Sequence, residues 1–213
     1  MRFLARPLFL EMARRHALRP HVHAVGDSTI VVLPGVFDPV CTKVGAWMAG
    51  VMPPYVRQGE RWLEIGTGSG VLACALARAK AKVTATDIDP TAVRNTRLNA
   101  ALGEFDMDVR EGDLFEPVGD ERFDVVVANL PFWPVNGSAL PLGRAFASGE
   151  DYGILRRFSA GFSHVAPTAF TVLSESFTQF PEARNALGPD ARLVRRERFS
   201  GEWMNLFELG ERR

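Results

Sequence analysis

The 213-residue sequence predicts an α/β fold: one seven-stranded, mostly parallel sheet with helices on both faces. Two observations carry this. From Arg61 onward, short apolar runs alternate with helix-like stretches, the pattern of parallel strands joined by right-handed crossovers. A glycine-rich turn, Gly66-Thr67-Gly68-Ser69-Gly70, links the first of these runs to the first helix.

The strands are expected at Arg61–Ile65, Val83–Thr86, Met107–Arg110, Phe123–Ala128, Thr168–Ser174, Leu193–Phe199 and Met204–Leu209. Ala and Leu mark a helix over Val71–Ala79, and the next helix starts with Asp89 as N-cap and Pro90 at its first turn. Upstream, Phe3–Leu18 reads as an amphipathic helix, and His23–Leu33 as two short strands around a Gly26-Asp27 turn. Residues 1–34 are therefore expected to form a small helix-and-hairpin cap, and 35–213 the main domain. Leu130–Gly153 is rich in Pro, Gly and Ser, has no sustained period, and follows a strand. It belongs at the carboxyl edge of the sheet, where open α/β folds bind ligands.

Composition narrows the function classes. With 25 basic and 25 acidic side chains, no global field draws the chain to polyanions, so there is no strong nucleic-acid signal. No apolar run reaches the roughly 18 residues of a membrane helix. Glu11, Arg14 and Arg15 interrupt the start before a signal-like core forms, so a soluble, cytoplasmic protein is expected. Cys41 and Cys74 have no metal-ligand spacing. His21 and His23 share a strand face but have no third ligand in the neighbouring sequence, so no metal site is expected.

Glycines at a strand-to-helix turn let backbone approach a ligand closely. Alone they also fit an ordinary connection, but two acids follow in register. Asp87 ends the second parallel strand, where such folds place an acceptor for ribose hydroxyls. Asp113 ends the third unit and can accept from an adenine amino group. A nicotinamide dinucleotide is the first rival, although its fingerprint wants a third Gly where Val71 stands. The ATPase phosphate loop is excluded, since no Gly-Lys-Ser/Thr follows.

Leu63 to Gly70, Asp87, Glu111-Gly112-Asp113-Leu114 and Asn129-Leu130-Pro131-Phe132, in that order, resemble the motifs of class I S-adenosylmethionine (SAM)-dependent methyltransferases, whose sheet is Rossmann-like. The last motif resembles the Asn-Pro-Pro-Tyr of enzymes that methylate amide or exocyclic nitrogens. These include release-factor glutamine methyltransferases and adenine-N6 and guanine-N2 methyltransferases. Val36-Phe37-Asp38-Pro39 with Thr42 resembles their short motif that closes over SAM, and Ser148–Gly153 their Gly-rich segment before the fourth helix. The compact length is closest to the eukaryotic and archaeal release-factor type.

The resemblance implies that Phe37, Pro39, Thr42, Glu64, Gly66, Thr67, Gly68, Gly70, Asp87, Ile88, Asp113, Leu114 and Asn129 hold SAM. It also implies that Asn129, Leu130, Pro131 and Phe132 hold the acceptor: the Asn oxygen and the next carbonyl accept its two N–H groups, and the aromatic ring stacks on its plane. Leu130 replaces the first Pro but keeps a carbonyl; Phe132 replaces Tyr and loses a hydroxyl. A protein side chain, a nucleobase amine and a small metabolite all stay open as acceptors, as does a SAM-binding interaction module without transfer. Trp133 follows the motif and is a candidate pocket wall, whereas Trp203 reads as core. Arg195, Arg196 and Arg198 are either a basic face or flanks of a terminal strand with Glu197 and Glu202.

Overall fold

Trp62 and Leu63 are both fully buried, although neighbours on a strand point to opposite faces, so this strand needs cover on both sides. That requirement shapes the fold. The computed structural model describes residues 18–134, 145, 147–149, 151–199 and 201–211. The expected helix at Phe3–Leu18 lies, but for its last residue, outside them.

A two-stranded antiparallel hairpin comes first, β1 (His21–Val25) and β2 (Ser28–Val32), turning at Gly26-Asp27 as expected. Helix α1 (Val44–Val51) follows, then β3 (Arg61–Ile65), α2 (Val71–Arg78), β4 (Lys82–Asp87), α3 (Pro90–Leu102), β5 (Met107–Glu111) and β6 (Val125–Ala128). After the loop come α4 (Gly153–Gly161), β7 (Thr168–Ser174), α5 (Glu175–Thr178), α6 (Pro181–Leu187), β8 (Arg192–Phe199) and β9 (Glu202–Gly210).

The seven strands from β3 to β9 form one sheet in the order β5-β4-β3-β6-β7-β9-β8. The first five in that order run parallel, and β9 inserts antiparallel between β7 and β8. The predicted Rossmann-like α/β sheet is thus present. Each face has its own core. Trp62, Val83, Val125, Phe170 and Leu206 pack with Trp47 and Met48 of α1, Leu72 and Leu76 of α2, and Val93 of α3. Leu63, Ile65, Val126 and Leu173 pack with Leu155 and Phe158 of α4 and Ala183 and Leu187 of α6. Burial of this many large side chains, each worth about 1.5–3 kcal/mol, is the main favourable term in holding the layers together.

The hairpin is bound to the same body. Ile30 and Val32 bury with Val36, Val71 and Cys74. Its edge is completed by two buried side chains of α3: Asn95 Oδ1 accepts from Leu33 N–H at 2.7 Å, and Asn99 Oδ1 from Val31 N–H at 2.9 Å. Trp203 departs from expectation: it is 37% exposed, because its ring is covered by the guanidinium groups of Arg196 at 4.3 Å and Arg198 at 5.9 Å and not by apolar side chains of the core. Arg195 and Arg196 pair with Glu197 and Glu175, so these arginines flank the terminal strands as ion pairs.

Candidate functional site

Ile65 pairs with both Thr86 and Ala128, so three strands end at one level and Gly66, Asp87 and Asn129 leave the sheet side by side. Chain order reverses here, with β4 on one side of β3 and β6 on the other. This is the switch point at which parallel sheets bind ligands.

The turn after β3 needs its glycines. Gly66, Gly68 and Gly70 adopt φ of +72°, +57° and +78°, where L side chains are strained. A Cβ on Gly66 or Gly68 would meet no protein atom within 4 Å, whereas one on Gly70 would lie 2.9 Å from Thr96 Cγ2. The first two therefore keep an approach open to a ligand, and the third lets α2 start against α3. Thr67, buried, donates its hydroxyl to Glu64 at 2.8 Å. Glu64 is enclosed beneath the loop, and burial pushes its carboxyl up to about 8, with the Asp87 charge adding to the rise and the Thr67 bond opposing it. Asp87 accepts from Gly68 N–H on one oxygen and from Asp89 N–H on the other, both at 2.9 Å. Ile88 beside it is 47% exposed, an apolar surface next to the end of β4. Asp89 caps α3 as expected, accepting from Thr91 N–H at 2.8 Å.

Leu114 is buried at φ +47°, and Asp113 accepts from Arg157 of α4 at 2.8 Å, which orients its carboxylate. Pro39 is buried, Phe37 and Thr42 half-buried. Their segment lies beside the glycine turn, because Pro39 abuts Gly45 of α1 and Val36 buries with Val71 at the start of α2. After β6, Leu130 is buried in the second core while Asn129, Pro131 and Phe132 are half-buried. The Phe132 ring packs on Phe177 of α5, centroids 5.3 Å apart. Trp133 bridges to Ala147, and its carbonyl accepts from Ser148 N–H at 2.8 Å, closing the two ends of the connecting segment on each other. Residues 135–144, 146 and 150 of that segment lie outside the described residues.

Sequence reading missed the shell behind the loop. Thr96 donates its hydroxyl to Gly68 O at 3.2 Å, and Asn99 donates to Ser69 O at 2.8 Å. The available signal was three small polar residues, Asn95, Thr96 and Asn99, at helical spacing on one face of α3. A cavity of about 640 Å³ lies on the β8–β9 flank among Thr178, Arg184, Leu193 and Asn205, and none of the glycine-turn residues lines it.

The cradle suits a nucleoside with a charged tail: open glycine faces, an acid at the end of β4, an exposed apolar side chain for a base, and a second acid after β5. With the sheet order, these features define a Rossmann-like α/β fold with an open cradle of this kind at its switch point. The chain belongs to the methyltransferase small domain family, which it matches over residues 27–148, more than half its length. It is similar to the ribosomal protein L11 methyltransferase of Caldicellulosiruptor bescii, 39% identical over 110 residues that cover 50% of this chain and 36% of that protein. It is also similar to the release factor glutamine methyltransferase of Geobacter sulfurreducens, 42% identical over 74 residues, 34% of this chain and 26% of that one. The aligned stretch thus spans about a third or less of either relative. Among solved structures, the T. thermophilus 16S rRNA N2 G1207 methyltransferase in complex with AdoMet and guanosine superposes with a TM-score of 0.63 at 20% identity, covering 91% of this chain and 50% of that one. Among the described residues no helix is long and apolar enough to cross a membrane.

Proposed function

We propose that the chain transfers a methyl group from SAM to a planar amide or amino nitrogen, with Asn129 to Phe132 as the acceptor seat. The observation that carries this reading is the register of Ile65 with Ala128, which sets Asn129 beside Gly66 at the switch point.

SAM, when bound, supplies an activated methyl group with its own leaving group. The chain's residues do the rest. The open faces of Gly66 and Gly68 admit the cofactor to the backbone, Asp87 accepts from the ribose, Ile88 and Leu114 flank the base, and Asp113, steered by Arg157, accepts from its amino group. Asn129 Oδ1 and the Leu130 carbonyl accept the two hydrogens of the incoming nitrogen. That contact fixes the nitrogen's direction of attack and opposes delocalisation of its lone pair as the bond forms. Phe132, braced by Phe177, gives a flat apolar face to a planar acceptor. The released proton passes to solvent.

The acceptor is a protein side chain, a nucleobase or a small metabolite. Balanced charge does not exclude RNA here, since a structural neighbour acts on 16S rRNA. Transfer of a labelled methyl group into a fractionated cell extract tests the reading, with Asn129→Ala as control. The variant is expected to lose transfer far beyond any loss of SAM affinity, and the labelled fraction identifies the acceptor class. SAM binding with no Asn129-dependent label in any fraction would favour an interaction module instead.

A further inference from the structure

His21 and His23 stand two residues apart on β1, so both rings lie on the same side of the strand. They stack, with centroids 6.0 Å apart and planes 8° from parallel. The third ligand that the neighbouring sequence lacks is supplied by the fold. Asp38, fifteen residues further on, is buried, and its Oδ2 lies 2.7 Å from His23 Nε2. One ligand atom from each of the three falls within 4.8 Å of the others. The carboxylate is already oriented, because Val40 N–H donates to its other oxygen, Oδ1, at 2.9 Å. A carboxylate held by an outer hydrogen bond with one oxygen facing imidazoles is how protein metal ligands are commonly arranged.

Two imidazole nitrogens and one carboxylate oxygen suit zinc and its first-row neighbours, while calcium and magnesium favour oxygen alone. We propose that His21, His23 and Asp38 bind a divalent transition-metal ion of the zinc type, which clamps the hairpin to the segment carrying Phe37, Pro39 and Thr42. Ligands at about 2.0–2.1 Å around a tetrahedral ion sit roughly 3.3 Å from one another, so side-chain rotation of half-exposed His21 draws the set together. Three protein ligands leave a fourth position for water. The ion replaces the His23–Asp38 hydrogen bond with two metal bonds, and the clamp acts on the fold whether or not the chain transfers methyl groups.

The test uses the full chain, stripped with a chelator and titrated with Zn2+ against a chromophoric competitor, with Co2+ as a spectroscopic probe. One equivalent should bind with a dissociation constant below about 1 μM, and Co2+ should show visible bands of four-coordinate nitrogen and oxygen ligation. His21→Ala and Asp38→Asn should each weaken binding by at least about 100-fold, and His164→Ala, a surface histidine outside the cluster, should not. Circular dichroism checks that each variant is folded. If Asp38→Asn unfolds, His21→Ala decides alone, since its ring is half-exposed. Failure to bind one equivalent, or an affinity unchanged by His21→Ala, overturns the site, and neither result depends on SAM or an acceptor.

Discussion

Asp87 holds Gly68: a carboxylate oxygen at the end of β4 accepts the backbone N–H of the second loop glycine at 2.9 Å, nineteen residues away in sequence. Burial raises the Asp87 carboxyl above its usual range, while N–H groups of Asp89, Gly68 and Ile88 oppose that rise by stabilising its ionised form. The same side chain therefore sets the loop and, on the proposed reading, accepts from a ribose. Asp87→Ala should weaken SAM binding about 10–100-fold, the loss of one charged hydrogen bond or somewhat more. Calorimetric titration reads it, and an unchanged affinity would remove Asp87 from the cradle.

Two glycines in one turn should fail differently when given a side chain. Gly68→Ala meets no protein atom, so folding loses only the left-handed penalty of about 1–2 kcal/mol, while the new methyl occupies the open approach. Gly70→Ala incurs the same penalty and also presses its Cβ on Thr96, adding about 1–3 kcal/mol of overpacking. Thermal melts with and without SAM should show Gly68→Ala melting a few degrees below the parent and unresponsive to SAM, and Gly70→Ala melting further below it. A Gly68→Ala protein still stabilised by SAM would place the ligand elsewhere.

Glu64 makes stability depend on pH. In the fold its carboxyl is lifted from the ordinary 4.5 to about 8, chiefly by burial; in the unfolded chain it ionises normally. Between these values the folded state binds more protons than the unfolded one, so stability falls as pH rises through the window. The slope is at most about 1.4 kcal/mol per pH unit, and it levels off above the folded value. Urea midpoints between about pH 5 and pH 8 should decline in the parent and decline less in Glu64→Gln, which cannot ionise. Parallel curves for the two proteins would mean that Glu64 is ionised inside the fold.

How much of this was legible in the sequence followed from how local the cause was. β7 runs over the predicted residues because Thr168 to Ser174 are buried on both faces, so seven residues carry the same signal. β6 begins two residues late, at Val125, because Phe123 and Asp124 give their N–H groups to Val165 O and Arg61 O before the ladder starts. The glycine turn, Asp87 and Asp89 were readable because turn geometry and capping act within a few residues. Asp38 as a partner of His23 was not, because only the path of the chain after β2 brings it near. Asn95, Thr96 and Asn99 look like a solvated helix face, yet Asn95 and Asn99 meet the hairpin segment more than sixty residues earlier and Thr96 meets the glycine turn. Trp203 looked like core for the converse reason: only the pairing of β8 with β9 brings Arg196 and Arg198 over its ring.

The hairpin supplies a last separation of effects. Asn99 donates to Val31 O at 2.6 Å and to Ser69 O at 2.8 Å, so one amide joins the hairpin to the glycine turn. Asn95, one helical turn earlier, donates to Val31 O at 2.7 Å and accepts from Leu33 N–H, serving the hairpin alone. Truncating Asn95 removes the acceptor of Leu33 N–H and truncating Asn99 that of Val31 N–H, while the remaining amide still serves Val31 O, a cost of about 1–3 kcal/mol in each case. Asn95→Ala and Asn99→Ala should therefore lower the unfolding midpoint alike and speed amide exchange across β2. Only Asn99→Ala should also weaken SAM binding, because it frees the Ser69 carbonyl and loosens the turn between Gly68 and Gly70. Equal SAM affinities in the two variants would show that the cradle is held by Thr96 and Asp87 without help from the hairpin side.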